Sequence, residues 1–169
     1  TDVTIEMPGK ELRLPGLLTF PEHPKGLVVF AHGSGSSRHS PRNRFVAEVL
    51  NKAGLGTLLF DLLTSAEERD RTTAFDIQLL GRRLSEVTNW QHTLPEASDL
   101  SISHFGASTG AAAALWAAAE PDAQIAAVVS RGGRPDLAGH HLSEVRSPTL
   151  FIVGDRDQVV EQLNRQAQD

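Results

Sequence analysis

The chain has 169 residues, a formal net charge of −5 and no cysteine. That length suits one domain with a sizeable core, and the acidic balance argues against a dedicated nucleic-acid binder or a polybasic membrane anchor. Without cysteine there is no disulfide, no Cys-ligated zinc and no thiol nucleophile, which fits a reducing, cytoplasmic setting.

Val3 to Met7 and Leu12 to Phe20 flank the turn signal Pro8-Gly9 and predict an antiparallel hairpin. Leu27 to Ala31 is a continuous apolar run of the kind that forms a strand buried on both faces. A loop from His32 to Pro41 leads to a helix from about Arg42 to Ala53, which Gly54 stops. Thr57 to Asp61 is the next buried strand. A polar, charged stretch from Thr64 to Thr73 precedes a long helix from about Ala74 to Thr93, with Ile77, Leu80, Leu84, Val87 and Trp90 at helical spacing. A strand then covers Ser101 to Phe105, an alanine-rich helix follows as far as Ala119, and Ile125 to Ser130 is another buried strand. Thr149 to Val153 is the last strand, and a helix runs from Gln158 to Asp169. Buried strands alternating with helices predict an α/β fold, a mainly parallel sheet with helices on both faces, entered through the hairpin. The apolar run Gly110 to Ala119 is too short to span a bilayer, so no membrane partner is expected.

Ligands in such sheets bind beyond the carboxyl ends of the strands, and the chemistry-bearing residues fall there. Gly106-Ala107-Ser108-Thr109-Gly110, between a strand and a helix, has the Gly-x-Ser-x-Gly pattern of a nucleophile elbow. Small neighbours let strand and helix approach closely, and the helix N-terminus favours negative charge developing at Ser108. His32-Gly33-Ser34-Gly35-Ser36-Ser37 ends the first buried strand and suits a loop that donates a backbone N–H to an oxyanion; the other donor is the N–H of Thr109. A dinucleotide-phosphate loop is the rival, because Gly33-x-Gly35 follows a strand and Asp61 ends the next; the third glycine is missing, with Arg38 in its place. Gly154-Asp155-Arg156-Asp157 offers carboxylates after the last strand. Asp157 is the favoured acid, Asp155 a turn cap and Asp136 a further candidate.

The HGSGSS loop, the GASTG elbow and the stretch PTLFIVGDRDQVV together resemble the alpha/beta-hydrolase superfamily, within it the dienelactone-hydrolase-like group. SSRHSPRNR and SRGGRPDLAG are similar to members found beside or fused to phosphoribosyltransferase domains. The resemblance implies an alpha/beta-hydrolase fold over a single domain, 1–169. Ser108 is then the nucleophile, Asp157 the acid, and the N–H groups of Ser34 and Thr109 the oxyanion hole, with no metal or organic cofactor. Members with the dienelactone activity carry cysteine at the elbow, so Ser108 shifts the expected chemistry to a serine esterase. The family also places its catalytic histidine after one more strand. The resemblance therefore implies that the final strand, final helix and histidine are missing and that the domain is incomplete at its C-terminus.

Among the histidines present, His32 belongs to the oxyanion loop, His104 reads as a core residue, and His23, His39 and His92 read as surface residues. His140 and His141, after the strand ending at Ser130, are the candidates to substitute for the missing base, against the alternative of a surface helix or loop. Arg38, Arg42 and Arg44 follow one strand end and Arg131 and Arg134 another. They form either a solvated basic rim balanced by Glu67, Glu68 and Asp70, or a binding site for anionic substrates with Arg38 and Arg131 as its contacts. The expected function is hydrolysis of a small carboxylic ester, thioester or lactone through an acyl-enzyme. The alternative is a catalytically silent hydrolase-fold module associated with a phosphoribosyltransferase.

Overall fold

Pro8 and Gly9 turn the chain as expected. In the computed structural model, which describes residues 1–168, β1 (Asp2–Glu6) and β2 (Arg13–Thr19) pair antiparallel, with Ile5 opposite Leu14. Gly9 takes the left-handed backbone of the turn, at φ 69°. β3 (Leu27–Ala31) and β4 (Gly56–Phe60) are buried at every residue, as apolar runs in a two-sided sheet must be. Three more strands complete the sheet: β5 (Ile102–Ala107), β6 (Ile125–Arg131) and β7 (Thr149–Ile152). The order is β1-β2-β4-β3-β5-β6-β7, antiparallel as far as β4 and parallel beyond it.

Between β3 and β4 runs α1 (Pro41–Lys52), with Ser40 accepting from the Asn43 N–H as N-cap and Pro41 in the first turn. Two one-turn helices, α2 (Ser65–Glu68) and α3 (Arg71–Ala74), occupy the polar, charged stretch. Next come α4 (Ile77–Trp90) and a 3₁₀ turn, Gln91–Thr93. The single helix expected from Ala74 to Thr93 is therefore broken. The Asp76 carboxylate accepts from the Leu79 N–H at 3.0 Å and starts a new helix instead of continuing the old one. α5 (Thr109–Ala118) follows β5, a 3₁₀ segment Pro135–Glu144 kinked at Gly139 follows β6, and α6 (Gln158–Gln166) follows β7. The end of the last predicted helix, Asp169, lies outside the described residues.

The larger core lies on the α4/α5 face, where Leu80, Leu84 and Val87 meet an α5 whose ten residues are all buried. Small side chains allow this approach: a Cβ on Gly81 would stand 2.4 Å from Cε3 of Trp116. On the other face α1 packs Ala47 against Val28, Phe30, Leu59 and Phe105. That face is only partly covered. β7 was expected to be buried, yet it is the sheet edge; Leu150 lies beside Val129 of β6 and is 56% exposed, and Ile152 is 45% exposed. Apolar composition alone does not distinguish a central strand from an edge strand of this kind. Among the described residues no helix is long and apolar enough to cross a membrane.

β4 and β5 flank β3, so the winding reverses there, and the loops after the parallel neighbours β3 and β5 leave from the same edge of the sheet.

Candidate active site

Ser108 stands between β5 and α5, beside the loop that follows β3. It takes φ 53° and ψ −122°, left-handed values that cost a non-glycine residue about 1–3 kcal/mol, and its side chain is exposed at the start of the buried α5. The surrounding backbone holds it there. Its N–H donates to the Arg131 carbonyl at 3.3 Å, and its own carbonyl accepts from the N–H groups of Ala111 (3.1 Å) and Arg134 (3.2 Å). A Cβ on Gly110 would lie 2.1 Å from the Ala31 carbonyl oxygen, and one on Gly106 2.4 Å from the Ala111 Cα. Neither position tolerates a side chain.

The β3 loop comes up against Ser108: a Cβ on Gly33 would fall 3.0 Å from Ser108 Cβ and 3.6 Å from its Oγ. The Ser34 N–H donates to Thr109 Oγ1 at 2.9 Å. Thr109 opens α5, where backbone N–H groups lack intrahelical acceptors. Ser34, Ser108 and Thr109, three of the residues singled out in the sequence, are thus adjacent. His32 supports this loop. Its Nε2 accepts from the Leu62 N–H at 3.0 Å, so the ring proton is on Nδ1, which donates to the Gly33 carbonyl at 2.8 Å. With both nitrogens engaged, His32 is not free to act as a base.

The remaining histidines lie elsewhere. His104 is buried beneath the elbow, with Nε2 2.9 Å from Thr88 Oγ1, and burial holds its ring well below the usual histidine range, at about 4. His141 stacks on Trp116 (centroids 5.2 Å apart) and on His140 (4.1 Å), and its Nδ1 faces the Ala138 carbonyl at 3.3 Å. Trp116 is about 12 Å along α5 from Ser108 at 1.5 Å per residue, so this pair lies beside the far half of the helix. His23, His39 and His92 are exposed. Among the described residues no histidine is hydrogen-bonded to Ser108 or to a carboxylate.

The Asp157 carboxylate is exposed and caps α6, accepting from the Val160 N–H at 3.1 Å. Asp155 is exposed in the same turn, and Asp136 is held by Arg134 through contacts of 2.7 and 2.9 Å. Arg38 is ion-paired to Asp61 and also donates its backbone N–H to that carboxylate at 2.7 Å. Arg131 donates to Asn43 Oδ1 at 2.8 Å and lies over the Phe105 ring at 5.5 Å, on the α1 side of the sheet. Burial, and next the positive Arg42, push its guanidinium below the usual arginine value.

Sequence reasoning missed α2 and its anchor. Glu67 and Glu68 were read as surface charge balancing a basic rim. Instead Glu67 forms a capping box with Thr64 and a bidentate pair with Arg83 (2.7 and 2.8 Å), and Glu68 accepts from the Gly35 N–H at 3.1 Å. Hydrogen bonds from Arg83, aided by Thr64 and opposed by burial, lower the Glu67 carboxyl to about 2. The Thr64-x-x-Glu67 signature was legible as a cap, but its partner Arg83 was not. A cleft of about 430 Å³ opens beside these groups, lined by Gly35, Ser36, His39, Ser40 and Glu68. A larger cavity, about 860 Å³, lies at the opposite ends of β5 and β6 between Asn89 and Gln124, remote from Ser108.

Residues 24–168 match the family described as alpha/beta hydrolase domain. The chain is 52% identical to a dienelactone hydrolase from Anabaena variabilis, with a TM-score of 0.92, covering 99% of this chain and 78% of that structure. An alpha-beta serine hydrolase homologue from Coxiella burnetii shares the fold at 22% identity and a TM-score of 0.79, with 100% and 81% of the two chains covered. Two Mycobacterium tuberculosis proteins named "Putative phosphoribosyl transferase" are each 60% identical over 99% of this chain. The chain spans 38% of the length of these curated relatives.

Proposed function

The chain belongs to the alpha/beta-hydrolase superfamily, in its dienelactone-hydrolase-like group, and from that premise we propose that the whole protein is a serine hydrolase of small carboxylic esters, thioesters or lactones. One observation carries the proposal: Ser108, strained at φ 53° and exposed, stands at the N-terminus of a fully buried helix. Strain of this size persists only where the surroundings impose it, and nucleophiles are among the residues so held.

In the proposed reaction Ser108 Oγ attacks the substrate carbonyl carbon while a histidine from the remainder of the protein takes the hydroxyl proton. Asp157 orients that histidine. The N–H groups of Thr109 and Ser34 receive the oxyanion, with Ser34 exchanging its contact to Thr109 Oγ1 for the substrate oxygen. Collapse of the tetrahedral intermediate expels the leaving group with the proton from histidine, and water then hydrolyses the acyl-enzyme by the reverse proton route. No step calls for a cofactor. Arg38 and Arg131, engaged with Asp61 and Asn43, act in this account as supports of the site rather than as substrate contacts.

A second function, a silent hydrolase-fold module working with a phosphoribosyltransferase, is favoured by one observation: the described residues bring no histidine to Ser108. Turnover of p-nitrophenyl esters separates the two. The full-length protein should hydrolyse them, Ser108→Ala should reduce kcat by roughly 10³-fold or more, and residues 1–169 alone should be nearly inactive. Turnover unaffected by Ser108→Ala would overturn the proposal. Absence of any Ser108-dependent turnover would favour the module.

A further inference from the structure

We propose that the segment Leu62–Glu68, anchored to α4 by the Glu67–Arg83 pair, is a clamp that sets the direction of the Ser34 N–H, which in this structure donates to Thr109 Oγ1 beside Ser108. Its catalytic consequence rests on the hydrolase function proposed above; its structural claim stands apart from it.

Gly33 C=O and Ser34 N–H belong to one planar peptide, so whatever fixes the carbonyl fixes the direction of the donor. The carbonyl accepts from His32 Nδ1–H at 2.8 Å and from the Ser36 N–H at 3.1 Å. The imidazole can donate there only if its proton is on Nδ1. The Leu62 N–H imposes that tautomer by donating to Nε2 at 3.0 Å. Leu62 is itself held from behind: Arg83 Nη1 donates to its carbonyl at 2.9 Å and to Glu67 Oε2 at 2.8 Å. Five residues beyond Leu62, Glu67 accepts from the Thr64 N–H at 2.8 Å and closes the turn. Beyond Ser34 the same segment reaches the loop again, where Glu68 Oε1 accepts from the Gly35 N–H at 3.1 Å. The peptides on both sides of Ser34 are thus tied, directly or through His32, to Leu62–Glu68.

Stability alone does not account for the anchor. Arg83 is only 6% exposed, on a helix that otherwise buries Ile77, Leu80, Leu84 and Val87 around it. Arg83 is buried while Glu67 is partly exposed, so desolvation of the guanidinium offsets part of the attraction between them. What an apolar residue cannot do is donate to a carbonyl and a carboxylate at once, and those two bonds fix where Leu62 lies relative to α4. Arg83 and Glu68 are therefore positioning residues, acting through His32 and through Gly35.

An oxyanion donor contributes only when charge develops in the transition state, so a misaimed Ser34 N–H lowers kcat and spares KM. The test uses the full-length protein with Arg83→Met, Glu67→Gln and Glu68→Ala, followed by ¹⁵N NMR of the His32 ring and the Ser34 amide and by ester kinetics. The first two variants should disturb the Nδ1–H signature of His32. All three should shift the Ser34 amide and speed its exchange. Where Ser108-dependent turnover exists, kcat should fall on the order of tenfold in Arg83→Met and less in Glu68→Ala, with KM changed less than about twofold. If Arg83→Met fails to fold, Glu67→Gln and Glu68→Ala carry the test. Unchanged His32 and Ser34 resonances in the folded variants would overturn the clamp, as would a rise in KM at constant kcat. Absence of turnover in the parent protein would count against the hydrolase proposal, and the NMR result would still decide the clamp.

Discussion

Two turns at the same end of the sheet are built in opposite ways. The Ser108 turn joins the central strand β5 to a helix buried on every side, and glycines 106 and 110 have no room for a methyl group. The Gly154–Asp157 turn leaves the edge strand β7; its residues are exposed, and a Cβ on Gly154 would touch nothing within 4 Å. What restrains the second turn is indirect: β7 pairs with β6, and the buried Asn164 of α6 donates to the Gly133 carbonyl at 3.0 Å. Ser108 and the loop after β3, the proposed nucleophile and oxyanion loop, are therefore fixed by close backbone packing within this chain. Asp157, the proposed acid, is carried on a margin whose apolar side chains Leu150 and Ile152 face solvent.

Matched glycine substitutions break the comparison most severely. Gly110→Ala forces a Cβ against the Ala31 and His32 carbonyls, at 2.1 and 2.5 Å, and should cost about 3 kcal/mol or more, enough to threaten folding. Gly154→Ala should stay within about 0.5 kcal/mol of the parent. Urea denaturation of both variants measures the difference, and similar losses would mean that the elbow is no more tightly held than the margin.

Acid titration sharpens it with a smaller effect. The folded chain keeps His104 neutral down to about pH 4, whereas an unfolded histidine takes up its proton near 6.5. The unfolded state therefore binds more protons between these values, and stability falls as pH drops from about 6.5 to 4, by on the order of 3 kcal/mol. In His104→Gln that part of the pH dependence should vanish from the urea midpoints. A parent protein with flat stability over this window would contradict the buried, neutral His104 under the elbow.

The same contrast explains what could be read from the sequence. Gly106, Ser108 and Gly110 lie within five residues, and their spacing encodes the turn; Leu27 to Ala31 declares a central strand by its unbroken apolar run. Non-local pairings were not legible. Arg83 meets Glu67 sixteen residues away, and Leu62 meets His32 thirty residues away, so neither bond leaves a periodic trace. Thr149 to Ile152 reads like any buried strand, because exposure at an edge depends on neighbours and not on composition. Asp76 could have marked the helix start after α3, but the apolar spacing on either side was continuous enough to hide it.

Covalent labelling of Ser108 tests the central claim most directly. A fluorophosphonate probe applied to the full-length protein, with the modified peptide located by mass spectrometry, should mark Ser108 and lose that mark in Ser108→Ala. Residues 1–169, in which no described histidine is hydrogen-bonded to Ser108, should react far more slowly. Label on Ser34 or Ser36, or label that survives Ser108→Ala, would contradict the assignment of Ser108 as the nucleophile.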